Sequence, residues 1–283
     1  MSTNFQYRFL NNVNFDELVE VFNKAFHDYV VPMQLTREEL EKKIKTEGIQ
    51  LSDSIGVYAN KKLVGFILHG RNNYKLYNAA TGVIPEYRGN NLTTKMYEYG
   101  LPIFRSFDIR KISLEVISTN DIAFKAYRKI GFKKWRSLNC LKGKTKYKLS
   151  QKELLNNIEI KDTSYYEYLV HYAEKDLLPS WQNNEFCISN NERNLILKKA
   201  VLDNQLIGYI IFNPANGKIH QIWVKEPYRR KGIGTLLVSH CLPERKEFYI
   251  TNIDAQNFGL NMFIKSIGGQ AFLEQNEMEL YLK

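Results

Sequence analysis

The sequence repeats itself, and this repeat constrains the fold more than any other feature of the chain. Three landmarks recur in the same order at offsets of 143, 141 and 137 residues: 62–66 (KLVGF) with 205–209 (QLIGY), 87–88 (YR) with 228–229, and 130–131 (IG) with 267–268. A fixed order at nearly one spacing indicates a duplicated unit. Since there are only two copies and each is long enough to fold alone, the sequence predicts two tandem domains and not a solenoid.

Each copy is predicted to be an α/β domain, with a central mixed β-sheet flanked by helices. Apolar residues at strand or helix spacing give the order β-α-α-β-β-β-α-β-α-β. Thr36 and Glu39 form a capping-box pattern at the start of the second helix, while Asn120 and Gly131 suit the two ends of the last helix. Pro102 is expected to end or kink the helix predicted over 92–107. The predicted domains are 1–145 and 146–283, joined near residues 142–152.

Positive charge is concentrated in the first half of the chain. Residues 1–150 contain 25 Lys and Arg against 14 Asp and Glu, whereas the remainder contains 15 against 16. No acidic residue occurs between Asp121 and Glu153. Such a stretch suits a solvated face, an anionic cofactor, an acidic substrate or nucleic acid. Zinc-finger spacings and recognition helices with base-stacking aromatics are absent, so nucleic acid is the least favoured of these partners.

The composition excludes several classes of protein. A hydrophobic fraction of 44% is enough for true cores. No apolar run approaches the roughly 18 residues of a membrane helix, and the N-terminal segment lacks a basic-then-apolar signal pattern. Cys140, Cys187 and Cys241 lie far apart, so we expect neither a disulfide framework nor a zinc site, and no other metal. The expectation is a cytoplasmic protein without a membrane partner, monomeric or homodimeric.

A turn with glycines follows the fourth predicted strand of each copy. In the second copy it is PYRRKGIGT, residues 227–235, after a strand that ends at Val224. Glycines let the backbone turn tightly and approach a ligand, and the first N–H groups of the next helix can bind phosphate or pyrophosphate. The pattern is not a Walker loop, because no GK[ST] follows, and it is not a dinucleotide-binding GxGxxG.

These segments resemble the signatures of the GNAT superfamily of N-acetyltransferases, once per copy and over nearly the whole chain. Arg-x-x-Gly-x-Gly is similar to the acetyl-CoA pyrophosphate loop, and VIPEYR at 83–88 is typical of the segment before it. Asn120, Ala123 and Tyr127 share one helical stripe, so they can line one pocket. With Gly131 and Phe132 after it, this stripe is similar to the second signature of the superfamily. The resemblance implies a tandem member of bacterial type, with acetyl-CoA as donor and an amine-bearing small molecule, peptide or protein as acceptor.

The two copies have diverged in complementary ways. Asn91 and Thr93 stand where the second copy has Gly232 and Gly234. Asparagine tolerates a positive φ, whereas Thr93 leaves less room beside the phosphates. The catalytic positions differ as well, and the pairs at an offset of 137 are Tyr127 with Ile264 and Glu115 with Asn252. We therefore expect a catalytic first copy and a supporting second copy.

The resemblance implies direct acetyl transfer without an acyl-enzyme. A base must take a proton from the acceptor ammonium, and a donor must meet the departing thiolate. By analogy Glu115 is the base, Tyr127 the acid, and the backbone of Val83 the contact to the thioester carbonyl. The residues expected at the cofactor are Val83, Ile84, Arg88, Gly89, Asn90, Asn91, Leu92, Thr93, Asn120 and Tyr127, and in the second copy Val224, Arg229, Arg230, Lys231, Gly232, Ile233, Gly234 and Thr235.

Several alternatives stay open at this level. Taken alone, Glu115 is an exposed strand residue and Tyr127 a packing aromatic. His69 and His220 fall on core strands and are expected to be structural, while Asp28 or Tyr29 could orient an amine. The whole chain could also be a non-catalytic acyl-CoA-binding module, or a basic protein associated with nucleic acid.

Overall fold

In the computed structural model, which describes residues 4–31, 33–147, 153–170, 176–243 and 245–282, the predicted order of elements is confirmed for both copies. The part of the predicted junction at 148–152 lies outside these residues. The elements of the first copy are β1 Phe5–Phe9, α1 Phe15–Phe26, α2 Arg37–Glu47, β2 Ile55–Ala59, β3 Lys62–Asn72, β4 Lys75–Val83, α3 Leu92–Ser106, β5 Lys111–Ile117, α4 Asp121–Ile130 and β6 Lys133–Lys144. Those that follow are α5 Glu153–Asn156, β7 Glu159–Asp162, α6 Tyr165–Val170, α7 Glu185–Asn191, β8 Ile196–Leu202, β9 Gln205–Asn213, β10 Lys218–Val224, α8 Ile233–Ser239, β11 Glu247–Asp254, α9 Phe258–Ser266 and β12 Gly269–Tyr281.

The chain divides into two units, and each has a mixed sheet. In the N-terminal unit the strand order is β1-β2-β3-β4-β5, with β12 beside β5. Strands β1 to β4 pair antiparallel, whereas β4 and β5 run parallel. In the C-terminal unit the order is β6-β11-β10-β9-β8-β7, and β10 and β11 are the corresponding parallel pair. The predicted α/β class with a mixed sheet is confirmed.

Part of the last strand of each copy belongs to the unit of the other copy: most of β6 lies in the C-terminal unit, and the end of β12 lies in the N-terminal unit. The N-terminal unit contains Met1–Trp135 and Asn276–Lys283, and the C-terminal unit contains Arg136–Gln275. Strand β6 accordingly pairs antiparallel with β11. The boundary predicted between residues 145 and 146 follows the sequence repeat, whereas the units exchange their final strands. Sheet pairing depends on which edge a strand meets and not on its place in the chain, so the repeat could not reveal this exchange.

Helix ends in the first copy follow local rules. Thr36 and Glu39 form the predicted capping box, at 3.2 and 2.8 Å. Helix α3 has nearly the predicted extent and continues through Pro102 to Ser106, so of the two effects predicted for this proline an end of the helix is excluded. The carbonyl that Pro102 leaves without an N–H belongs to Glu98, an exposed residue, so water can replace the lost hydrogen bond.

The sheet of the N-terminal unit separates two cores. One, here the α3/α4 core, contains Tyr97, Phe104 and Tyr127 with alternate residues of β5. The other, the α1/α2 core, contains Leu18 and Phe22. Because neighbouring side chains on a strand point to opposite faces, the residues of β5 between those of the α3/α4 core point to the other face of the sheet. Among the described residues, no helix has the length and apolarity needed to cross a bilayer.

Candidate active site

The turn between β4 and α3 presents backbone N–H groups. After a 3₁₀ turn at Pro85–Tyr87, Gly89 and Asn91 are left-handed, with φ of 81° and 58°. Asn91 therefore adopts the positive φ that the sequence analysis considered tolerable there. It is the N-cap of α3, and the first N–H groups of a helix have no partner within it. These groups are positioned to bind an anion.

The turn between β10 and α8 has the same shape with its glycine two positions later. Arg230 and Gly232 are left-handed here, with φ of 62° and 96°, and Gly232 is the N-cap of α8. A Cβ on Gly234 would lie 3.0 Å from the ring of Phe263, so this glycine also allows α8 to pack on α9. Both turns keep one backbone shape although their sequences differ.

An arginine braces the N-terminal turn. The Nη atoms of Arg88 donate to both carboxylate oxygens of Asp28, at 2.6 and 2.7 Å, and to the carbonyl of Ala25 at 3.0 Å. Its Nε donates to the carbonyl of Val83 at 3.1 Å. The hydrogen bonds from Arg88 lower the pKa of Asp28. The guanidinium predicted at the cofactor thus holds the turn in place, and Asp28, considered above for the acceptor, is its partner.

The C-terminal turn is braced in the same way. Arg229 donates to both carboxylate oxygens of Asp176 at 2.6 Å and to the carbonyl of Val224 at 2.8 Å. Trp223 also donates to Asp176, at 2.9 Å. The sequence analysis missed Asp176 because its distance from Asp28 exceeds the offsets of the other landmarks.

The remaining predicted residues of the N-terminal turn have different surroundings. The amide of Asn90 donates to the carbonyl of Tyr87 at 3.0 Å, so this side chain closes the turn. Leu92 is buried in the α3/α4 core, and Thr93 is half-buried. These contacts leave the backbone of the turn, rather than its side chains, as the part suited to phosphate.

A cavity of about 500 Å³ lies beside the C-terminal turn. Of the predicted residues it is lined by Val224, Arg229, Arg230, Gly232, Ile233, Gly234 and Thr235. Asn257, Leu260 and Phe263 also line it, and the ammonium of Lys231 lies 5.4 Å from the ring centroid of Tyr228. N–H groups beside partly apolar walls suit an extended ligand with an anionic group and an apolar arm.

A buried cluster of hydroxyls surrounds Tyr127. The amide nitrogen of Asn78 lies within hydrogen-bond distance of Thr81 Oγ1 at 2.8 Å, Tyr97 Oη at 3.0 Å and Tyr127 Oη at 3.4 Å. Burial raises the pKa of Tyr127 to about 12, so its hydroxyl stays protonated over the ordinary pH range. Asn78, Thr81 and Tyr97 are not among the residues predicted from the sequence, where the one available signal was the polar Asn78 within an apolar strand.

Asn120 connects this region to the segment after α1. Its side-chain oxygen accepts from the N–H of Ala123 at 3.1 Å, which confirms the predicted N-cap of α4. Its amide donates to the hydroxyl of Tyr29 at 3.3 Å. Tyr29 is therefore brought to the N-terminus of the helix that carries Tyr127.

Glu115 lies on the opposite face of the sheet from Tyr127. Its neighbours Leu114 and Val116 are in the α3/α4 core with Tyr127, so the side chain of Glu115 points the other way. There its Oε2 accepts a hydrogen bond from the hydroxyl of Tyr77. The structure thus places Tyr127 and Glu115, the two predicted catalytic residues, on opposite sides of the sheet at β5.

Strands β4 and β5 separate between these two residues, which leaves an opening in the sheet. The parallel ladder of β4 and β5 runs only from the pair Lys75–Lys111 to the pair Asn78–Leu114. Strand β4 continues to Val83 with its other edge still paired to β3. The N–H of Ile84 donates to the carbonyl of Val64 in β3. Because successive N–H groups of a strand point to opposite edges, the N–H of Val83 points into the opening.

The C-terminal unit lacks both catalytic side chains at the matching positions. Ile264, in the place of Tyr127, is fully buried. Asn252, in the place of Glu115, accepts hydrogen bonds from Gln275 at 2.8 Å and Cys140 at 3.4 Å. Asn257 repeats the N-cap of Asn120. This copy keeps the turn and the cavity without an acid or base at these positions.

The two strand histidines are buried. Burial lowers the pKa of His69 to about 4 and that of His220 to about 2, so both are neutral at pH 7. His69 Nδ1 lies 2.8 Å from the carbonyl of Asp53. In the part of the chain that the structure describes, no group of three or more His, Cys, Asp or Glu is placed to hold a metal ion.

The profile of the Acetyltransferase (GNAT) family matches residues 15–132 and again 155–259. Three solved structures are similar over nearly the whole chain. They are a GCN5-related N-acetyltransferase from Sphaerobacter thermophilus (13% identity, TM-score 0.72, 99% of this chain and 96% of that chain), a tandem GNAT protein from the clavulanic acid biosynthesis pathway without AcCoA (12%, 0.71, 100% and 99%) and a GCN5-related N-acetyltransferase from Anabaena variabilis (15%, 0.64, 99% and 73%). At these identities the likeness concerns the fold alone. No curated protein matches the sequence.

Proposed function

Because the chain belongs to the GNAT family of acetyltransferases, we propose that its first copy, residues 1–145, transfers an acetyl group from acetyl-CoA to a primary amine. The observation that supports this most is the opening between β4 and β5, with the hydroxyl of Tyr127 on one face and the carboxyl of Glu115 on the other. For a thioester bound in this opening, Tyr127 lies on one side as a hydrogen-bond donor to the sulfur, and Glu115 lies on the other side as a base for the amine. This separation suits direct transfer, because the nitrogen that attacks and the sulfur that leaves are different substituents of the carbonyl carbon and are served by different groups.

In the proposed reaction the amine nitrogen bonds to the carbonyl carbon and the C–S bond breaks. Glu115 accepts a proton from the ammonium, whose pKa of about 10 makes it a poor nucleophile near neutral pH. The N–H of Val83 polarises the carbonyl oxygen. Tyr127 donates a hydrogen bond to the departing thiolate, because burial keeps its hydroxyl protonated. The second proton, which the nitrogen loses as the amide forms, goes to the thiolate, so the products are an amide, the free thiol of CoA and the proton held by Glu115.

The donor is held by backbone more than by side chains in this proposal. The N–H groups that follow Asn91 bind the pyrophosphate, while Arg88 holds the turn through Asp28. Asn120 caps the helix that carries Tyr127 and holds Tyr29 at the N-terminus of that helix. The residues predicted from the resemblance thus divide into backbone contacts and braces.

For the second copy, residues 146–283, we propose a supporting role as an acyl-CoA-binding unit without catalysis. The cavity of about 500 Å³ beside Gly232 supports binding. Ile264 and Asn252, which stand where the first copy has its acid and base, argue against turnover there. Under this proposal only the first copy consumes the donor.

Turnover of acetyl-CoA by the purified full-length chain tests the function. With a panel of small amines, peptide N-termini and lysine peptides, we expect thiol release and acetylated product in equal amounts for at least one acceptor class. Binding of acetyl-CoA without thiol release from any acceptor would contradict the enzymatic proposal and favour a binding module. Steeply salt-dependent retention on DNA or RNA would instead favour a nucleic-acid partner.

A further inference from the structure

The end of β12 is part of the N-terminal unit, although it is the last segment of the chain. Residues 276–283 group with 1–135, and β12 is the neighbour of β5. The N–H of Leu282 donates to the carbonyl of Arg110, just before β5, at 2.9 Å. Glu279, whose side chain is 6% exposed, accepts from Lys111, the first residue of β5, at 2.5 Å. The strand that carries Glu115 is therefore held by residues from the far end of the chain.

The same segment forms a wall of the core that contains Tyr127. Met278, which is fully buried, and Leu282 belong to the α3/α4 core. A Cβ on Gly131 would lie 3.3 Å from Cδ1 of Leu280, so the segment reaches the C-cap of α4. Tyr127 lies about one turn before that cap. Strand β6 does not replace this wall, because the chain from Arg136 onward belongs to the C-terminal unit.

We propose that residues 276–282 are a positioning segment for Glu115 and Tyr127, so that catalysis by the first copy requires this segment of the second copy. This inference rests on the proposed function of the N-terminal unit. The segment braces β5 on one side and the end of α4 on the other, which are the elements that carry the proposed base and acid. Displacing a reacting group by about 1 Å can cost on the order of 10²-fold in rate.

The segment should affect kcat more than the KM for acetyl-CoA. The turn proposed to bind the pyrophosphate is held by separate contacts, from Arg88 to Asp28 and to the carbonyls of Ala25 and Val83. None of these involves residues 276–282. Loss of folded enzyme alone would also lower the apparent kcat with KM unchanged, so the rates are expressed per folded molecule, with the folded fraction taken from the unfolding transition of the same sample.

The first test compares the full chain with a chain that ends at Gln275. We expect a fall in kcat on the order of 10²-fold or more. Hydrogen exchange should become faster in β5 and α4 and stay unchanged in β10 and β11, whose unit retains all of its own residues. The exchange measurement tests the bracing of β5 and α4 even while the acceptor amine is unidentified, and the fall in kcat tests its effect on catalysis. Unchanged protection of β5 and α4 in the shortened chain would overturn the inference.

Point variants cover the case in which the shortened chain does not fold. Met278→Ala removes part of the wall, whereas Met278→Leu conserves its volume and should restore activity. Glu279→Gln removes the ion pair to Lys111, and its matched control is Glu274→Gln, an exposed glutamate of the same strand. We expect Met278→Ala and Glu279→Gln to lower kcat, with the other two near wild type.

The two proposals fail in different ways. If Tyr127→Phe abolishes turnover while the chain ending at Gln275 and Met278→Ala are fully active, the positioning role is wrong and the catalytic assignment stands. If Tyr127→Phe leaves turnover unchanged, the proposed function of this unit is wrong.

Discussion

Replacing Tyr127 with Phe removes one hydroxyl and keeps the ring in its core. The ring packs against Phe132 with centroids 5.6 Å apart, and this contact remains. The hydroxyl lies 3.4 Å from the amide of Asn78, which keeps Tyr97 and Thr81 as partners at 3.0 and 2.8 Å. The hydroxyl of Tyr127 also has a hydrogen bond with Thr81. Losing these two hydrogen bonds should cost about 0.5–1.5 kcal/mol each of the free energy of unfolding.

The loss in rate should come from the chemical step, because a loss of stability of this size leaves a domain of ordinary stability, about 5–15 kcal/mol, folded. A thiol has a pKa of about 8.5, whereas that of Tyr127 is about 12, so the hydroxyl stabilises the thiolate by a hydrogen bond without complete proton transfer. A hydrogen bond to a charged group is worth about 1.5–3 kcal/mol, or about 10- to 10²-fold in rate. General acid catalysis typically contributes about 10²–10⁴-fold. The two ranges meet near 10²-fold, which is the fall in kcat that we expect.

The assay is thiol release at saturating acetyl-CoA and amine, with thermal melting and acetyl-CoA calorimetry on the same samples. Tyr74→Phe is the matched control, since Tyr74 is 51% exposed. In the wild-type enzyme the rate should not fall through ionisation of Tyr127 below about pH 11, because its pKa is about 12. A kcat for Tyr127→Phe within about twofold of the control, far below the smallest contribution of a general acid, would refute the reasoning.

Three further outcomes follow from the structure. Glu115→Gln should lower kcat by about 10²–10⁴-fold and remove the rise of rate toward basic pH, whereas Glu86→Gln should not; equal rates in both would exclude Glu115 as the base. In calorimetry with acetyl-CoA, Asn91→Asp should remove the site coupled to turnover and Gly232→Asp the other, because a carboxylate repels pyrophosphate; if only Gly232→Asp stops turnover, the choice of catalytic copy is wrong. The pKa of His69 is about 4 in the folded state and about 6.5 unfolded, so the unfolded state binds the proton first and stability falls as pH drops from 6.5 toward 4. Urea unfolding should show that the free energy of unfolding falls by about 2 kcal/mol between pH 7 and pH 5 because of this group. An equal fall in His69→Phe would show that His69 is not its source.

Local sequence rules were sufficient to predict the helices and strands and the backbone shape of the two turns. The capping box at Thr36 and the N-cap at Asn120 appear as predicted, because each depends on hydrogen bonds within a few residues. The left-handed Asn91 is of the same kind, since the side chain itself decides whether a positive φ is tolerated. The duplication was visible because both copies kept these local patterns in one order.

Non-local pairing decided the arrangement of the candidate site. The sequence placed Glu115 and Tyr127 near one opening, but only the sheet shows that they lie on its two faces, because strand alternation must be combined with the helix packed on each face. The hydroxyl partner Asn78 comes from a different strand, 49 residues before Tyr127 in the chain. Pro102 remains inside its helix, against its local preference.

The exchange of the last strands is the clearest case of what sequence alone does not determine. Strands β6 and β12 close their copies of the repeat at equivalent positions, so the repeat predicts that each completes its own domain. In the folded chain residues 276–283 complete the N-terminal unit, and the chain from Arg136 onward belongs to the other unit. The edge of a sheet offers backbone hydrogen bonds to any strand that reaches it, and the tertiary structure decides which strand does so.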